Sequence, residues 1–189
     1  MKNTISKIGL LALMLSATVA SGAATLTKDP DLGGYWSPLS SQGTYTYANS
    51  FVAPTSGKVS AMGTWLSGGS SDLQFKIFES IAGDVQSGPD AGAVLASSGT
   101  LIGNNYASLS FVGVSESITS GVLLAGHTYW FAVTTVGLGG VGRYTVGAHT
   151  PNSSGITDNG TLWYSNAADG IVFDGSQERP ELAFSVSIS

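Results

Sequence analysis

The chain has no cysteine. That excludes disulfides, thiolate nucleophiles, cysteine-based zinc sites and lipid attachment through a thiol, so any fold here rests on core packing. Charge is sparse as well, with seven Lys and Arg against twelve Asp and Glu in 189 residues. The acidic balance argues against nucleic acid and anionic membrane surfaces as partners, since neither gains counterion release or attraction. There are only two histidines, His127 and His149, and their spacing fits neither an HExxH helix nor a paired zinc motif. No Gly-x-Ser-x-Gly elbow supplies a nucleophile, and no Asp-x-Asp-x-Asp-Gly loop supplies a calcium cradle. No apolar run approaches the roughly 20 residues of a membrane-spanning helix.

The first two dozen residues have the composition of an export signal. Lys2 and Lys7 make a basic start, residues 8–15 (IGLLALML) an apolar core, and residues 17–24 a small-residue exit with Ser21 and Ala23 placed for a cut after Ala23. The expectation is a signal peptide over 1–23 and a secreted or periplasmic product, without stable membrane insertion once the signal is removed. Without Lys2 and Lys7, five basic residues face twelve acids, a net charge of −7. The remaining chain of about 165 residues suits one domain.

Period-2 patterning dominates that domain. In residues 122–136 (VLLAGHTYWFAVTTV), His127, Tyr129, Phe131 and Val133 fall on one face, and Thr128, Trp130, Ala132 and Thr134 on the other. A strand apolar on both faces belongs in the middle of a sheet. Residues 72–80 (DLQFKIFES) put Leu73, Phe75 and Ile77 on one side, and 182–188 (LAFSVSI) do the same with Leu182, Phe184, Val186 and Ile188. Residues 44–53 and 58–66 read as a hairpin across Pro54-Thr55-Ser56-Gly57, the second strand presenting Val59, Ala61, Gly63 and Trp65 on one face. Leu109 and Phe111 alternate in the segment from Tyr106 to Val114. Short strands also fall at 161–165 and 171–173, around the Asp169-Gly170 turn. The Pro- and Gly-punctuated stretch 24–43 reads as an irregular N-terminal segment, leaving 44–189 as a single antiparallel, jelly-roll-like β-sandwich, with a closed β-barrel as the alternative.

Three segments carry a family likeness: Asn49-Ser50-Phe51-Val52-Ala53-Pro54 before a Val-rich strand, the run Leu124-Ala125-Gly126-His127-Thr128-Tyr129-Trp130-Phe131, and the terminal Pro180-Glu181-Leu182-Ala183-Phe184-Ser185-Val186. In that order they resemble the secreted bacterial β-sandwich domains of the choice-of-anchor and PEP-CTERM-associated type. The resemblance covers most of the chain after residue 23 and implies no catalytic residues. Such domains are typically followed by a sorting tail with a Pro-Glu-Pro motif, an apolar span and basic residues. This sequence stops at Ser189 with none, so the expectation is a free rather than an anchored protein.

Candidate site residues follow from the chemistry left over. A glycosidase needs two converging carboxylates. Glu79, Glu116, Glu178 and Glu181 are the glutamates available, and Glu178-Arg179-Pro180-Glu181 reads better as the start of an exposed strand. Asp84 with Asp90, and Asp169 with Asp174, lie in Gly-containing loops that could wrap calcium, but Asp-Gly pairs are ordinary turn chemistry. No catalytic and no metal residues are therefore assigned, and no cofactor is expected, calcium remaining the secondary reading. Adjacent Trp163 and Tyr164 face opposite sides of a strand, so one is expected at the surface. With Tyr35, Trp36 and Tyr144 they could form a sugar-stacking platform, with Asp169 and Asp174 bonding hydroxyls. The expected function is a non-enzymatic extracellular module recognising carbohydrate or matrix. The alternatives are a structural surface or biofilm component and, less favoured, a polysaccharide-degrading enzyme.

Overall fold

The computed structural model describes residues 22–31, 33–39, 46–80, 89–135, 138–140, 142–150, 162–165, 173, 175–177 and 181–189. The expected signal peptide lies outside them. Fifteen strands follow in order: β1 (Ala24–Lys28), β2 (Gly34–Leu39), β3 (Thr46–Val52), β4 (Gly57–Gly68), β5 (Gln74–Ser80), β6 (Pro89–Ser97), β7 (Tyr106–Val114), β8 (Thr119–Ser120), β9 (Val122–Leu123), β10 (Thr128–Thr134), β11 (Tyr144–His149), β12 (Leu162–Ser165), β13 (Gly175–Gln177), β14 (Glu181–Leu182) and β15 (Phe184–Ile188). They form two antiparallel sheets, and the arrangement is a β-sandwich, not a closed barrel.

Strand β10 sits where its composition predicts, between β3 and β5 in the seven-stranded sheet ordered β13-β12-β3-β10-β5-β6-β8. Its Tyr129, Phe131 and Val133 enter the core between the sheets, while Trp130 and Ala132 join a second buried cluster with Ala48 and Phe78 on the far side. The other sheet is built on β4. Along one edge β4 pairs with β15 and then with β11, and along the other with β9 and β7; β1 flanks β15 and β2 flanks β11. We call this the first sheet and the one around β10 the second. Phe184 of the first stacks on Phe131 of the second, ring centroids 5.0 Å apart and 12° from parallel. Such a contact adds about 0.5–1.5 kcal/mol beyond area burial.

Sequence expectations change at several points. Within the stretch 24–43, Ala24–Lys28 and Gly34–Leu39 are strands: β1 and β2 pair with β15 and β11, because Leu26 and Leu39 find apolar partners and the open strand edges find ladder bonds. Strands β3 and β4 are not a hairpin; the Pro54 turn carries the chain from one sheet to the other. In β4 the pairing slips at Ser60, since Ser187 opposes Ala61 but Ile188 opposes Val59. One extra residue reverses the alternation, so Val59, Met62, Thr64 and Leu66 are buried, and Ala61, Gly63 and Trp65 face outward. In β7, register with β4 turns Val112 inward and leaves Phe111 52% exposed. Of the strand expected at 171–173, residues 171 and 172 lie outside the described residues; β12 pairs with β13.

The last strand is broken at Ala183. Residues on its β15 side pair with β4, whereas Leu182 and Glu181 of β14 pair with Ala148 and His149 of β11. At this split the Leu182 N–H donates to the Asn49 Oδ1 of β3, 2.6 Å away, so a first-sheet strand is tied directly to the second sheet.

Candidate functional site

The reversed phase of β4 and β7 creates the most distinctive surface of the molecule. Gly113, Gly63, Ser185 and Thr27 stand in one row across β7, β4, β15 and β1, and Ala61, Ser187 and Thr25 in the next. These rows face away from the core, since the residues that alternate with them (Leu26, Met62, Val112, Phe184 and Val186) belong to it. At about 4.8 Å per strand, the first row runs about 14 Å across the sheet. It is floored by glycine and hydroxyl groups. Thr27 and Ser185 bond through their hydroxyls at 3.0 Å, Thr25 and Ser187 at 2.8 Å.

An aromatic step borders this row. Trp65 and Phe111 are cross-strand partners with ring centroids 4.9 Å apart in an edge-to-face arrangement. The Phe111 ring lies over two glycines: a Cβ on Gly63 would stand 2.7 Å from its Cζ, and one on Gly113 would stand 2.6 Å from its Cε1. Any larger residue would lift the ring, so both glycines are there for its close approach. The resulting open trough, about 380 Å³, is lined by Ala61, Met62, Phe111, Gly113, Val114, Ser115 and Ser185, none of them charged.

A second open cleft of about 580 Å³ lies at the end of β5 and β10, with Glu79, His127, Val122, Leu124 and Tyr129 on its walls. Glu79 is the only carboxylate among its described lining residues.

Of the predicted site residues, Trp163 and Tyr164 turn to opposite sides of one strand. Trp163 is half-buried in β12, its ring edge-on to Trp130 at 6.4 Å, and its Nε1 is buried with no acceptor among the described residues. Tyr164, also half-buried, points the other way and packs on the main core. The neighbours do face opposite sides, as adjacency in a strand requires, and for that reason cannot share a ligand face. Tyr144 is fully buried; its hydroxyl donates to Ser71 O at 2.7 Å and accepts from Asn104 N at 3.3 Å, and burial raises its pKa. Tyr35 and Trp36 belong to β2, but their side chains lie outside what is described, as do Asp84, Asp169, Asp174 and Glu178 altogether. Asp90 lies in β6, and no group of three or more His, Asp or Glu among the described residues could hold a metal ion.

Glu181 is not at an exposed strand start. It is 1% exposed and bonds Lys28 Nζ at 2.5 Å, both side chains fully out of solvent. His149, the last residue of β11, is nearly buried. Its Nδ1 lies 2.6 Å from Asp29 O and therefore carries the proton, because a carbonyl only accepts. Asp31 accepts from Thr150 N at 2.7 Å and lies 3.4 Å from the same Nδ1. His127 is exposed in the turn before β10.

Sequence reasoning missed Trp65, Phe111 and the Ser/Thr rows. The available signal was Gly63 and Gly113, isolated glycines inside strand patterns that mark close approach of another group. Compared with family models and with curated proteins, the chain matches none.

Proposed function

We propose that this protein is an exported, non-enzymatic recognition module that binds a neutral polysaccharide or similar matrix polymer along the outer face of its first sheet. The observation that carries the proposal is the exposed Phe111 ring laid on a glycine floor beside Trp65, continuous with two rows of hydroxyls. Sugar rings present apolar faces to aromatic side chains and hydroxyls to polar ones, and this surface offers both in one plane. The lack of charge in the trough favours an uncharged chain over an anionic one.

The test is binding of the purified protein to insoluble and arrayed polysaccharides, with calcium and with chelator. Saturable binding that is indifferent to chelator and lost in Phe111→Ala, at a closely similar melting temperature, is the expected result. Binding that survives Phe111→Ala would remove the trough from consideration, and binding lost only with chelator would move the loop aspartates forward. A structural surface component is the second reading. It is supported by β7, nine residues long and paired among the described residues with β4 alone, because an open edge is a template for another strand. Assembly that grows with protein concentration, and no saturable glycan, would favour it.

A further inference from the structure

A lysine and a glutamate both wholly removed from water are costly to keep, and a hydrophobic pair of similar volume usually serves stability as well. Here the pair sits at the split in the first sheet, and its surroundings are chemically specific. Lys28 pairs in register with Phe184 across β1 and β15, and its Nζ lies 5.7 Å from the centre of that ring. Phe184 stacks on Phe131, and Phe131 pairs in register with Asn49 across β10 and β3. Lys28 and Asn49 thus project into one interior layer from opposite sheets, each beside one ring of the stacked pair. Both are fully buried. Two consecutive residues join them: Glu181 Oε2 holds Lys28 Nζ, and the Leu182 N–H holds the Asn49 carboxamide oxygen. The remaining carboxylate oxygen, Glu181 Oε1, is buried without a hydrogen-bond partner among the described residues.

From this arrangement we infer that the interior is built to form an intramolecular isopeptide bond between Lys28 Nζ and Asn49 Cγ, with Glu181 as its acid–base group. In this apolar layer, desolvation favours passing the proton from the ammonium to Glu181, leaving a neutral amine. The direction of the Lys28 pKa agrees: burial pulls it below the ordinary lysine value, against the bond and charge of Glu181. The amine nitrogen attacks the carboxamide carbon. The Leu182 N–H, already 2.6 Å from Oδ1, stabilises the negative charge that develops there. Glu181 delivers its proton to the departing carboxamide nitrogen and takes up the proton shed by the attacking one. The carbon–nitrogen bond of the carboxamide breaks, one ammonia leaves, and an amide joins the two side chains. Nothing is oxidised or reduced. The product would covalently staple the first strand of one sheet to the other sheet, in a chain with no cysteine to do so.

Mass spectrometry of the full chain decides this, independently of any ligand. The expected mass is lower than that of the sequence by one ammonia. Digestion before Asp29 and Asp31 should then yield a branched product, one arm ending in Lys28 and the other carrying Asn49; this separates a cross-link from cyclisation of an asparagine elsewhere. Glu181→Gln should keep the full mass. Asn49→Asp should lose one water instead of one ammonia if it still condenses. Separate linear peptides bearing Lys28 and Asn49 from the wild-type protein would overturn the inference. An undiminished yield of the branched product in Glu181→Gln would overturn the role given to Glu181.

Discussion

The two sheets turn very different outer faces to their surroundings. On the second sheet, Ala48, Phe78, Trp130 and Ala132 are buried on the side away from the main core, with Trp163 and Phe173 packed over them. On the first sheet the corresponding side of β1, β15, β4 and β7 is, among the described residues, a floor of Gly, Ala, Ser and Thr with the Trp65–Phe111 step. An aromatic on the second face is therefore there to exclude water from a sheet, whereas Phe111 covers only two glycines and keeps half its surface in solvent. The same residue type is buried on one side and left open to solvent on the other.

Truncating an aromatic on each face should separate those roles most sharply. Trp130→Ala removes a side chain with no exposure and the hydrogen bond from its Nε1 to Ser80 Oγ, and should lower unfolding free energy by about 3–5 kcal/mol in denaturant titration. Phe111→Ala should cost no more than about 1 kcal/mol, the scale of a cross-strand pair, while removing polymer binding. Equal losses from the two would erase the distinction.

The glycine floor gives a finer contrast. A Cβ at Gly63 meets Val112 O at 2.5 Å, so Gly63→Ala forces β4 and β7 apart and should cost about 1–3 kcal/mol. A Cβ at Gly113 meets mainly the Phe111 ring, with the nearest backbone atom at 3.3 Å. Gly113→Ala should displace the ring and weaken binding several-fold, with a melting temperature close to wild type.

The hydroxyl rows depend on β1 staying in place, and the segment beyond it is fastened by Asp31. Desolvation pulls the Asp31 carboxyl upward, but bonds from Thr150 and the neighbouring His149 outweigh it and hold the carboxyl below its ordinary 3.8. A carboxylate lowered on folding stabilises the folded state above its unfolded pKa and loses that contribution as pH falls through the lower folded value. Asp31→Asn should therefore be slightly less stable than wild type near neutrality, and the two should converge under acid. The gap is small because the Asp31 side chain is 43% exposed. Smallest of all, Thr25→Val should shift stability by less than about 0.5 kcal/mol, since its bond to Ser187 is at the surface. Urea titrations across pH measure both.

Much of the fold was legible in the chain. Tyr129-Trp130-Phe131-Ala132-Val133 announces a central strand buried on both faces, and Phe75 and Ile77 announce the inner face of β5, because alternation of large apolar residues has one physical meaning in a pleated strand. The opposed orientations of Trp163 and Tyr164 needed only adjacency. The site was less visible. In β4 and β7 apolar residues occur on both faces, so alternation says that Phe111 and Val112 point opposite ways without saying which is inside.

That choice was made by tertiary structure. The slip at Ser60 shifts β4 by one residue, and register then carries the shift into β7, turning Phe111 and Trp65 outward together. The pairing of Lys28 with Glu181, and of Asn49 with the Leu182 N–H, has the same origin, since their places far apart in the chain carry no sign of it. The sequence by itself determined the class of fold, through a local period that each strand writes for itself. Which faces meet solvent, and which polar groups meet in the interior, depended on pairing between distant strands, where one residue of register exchanges inside for outside.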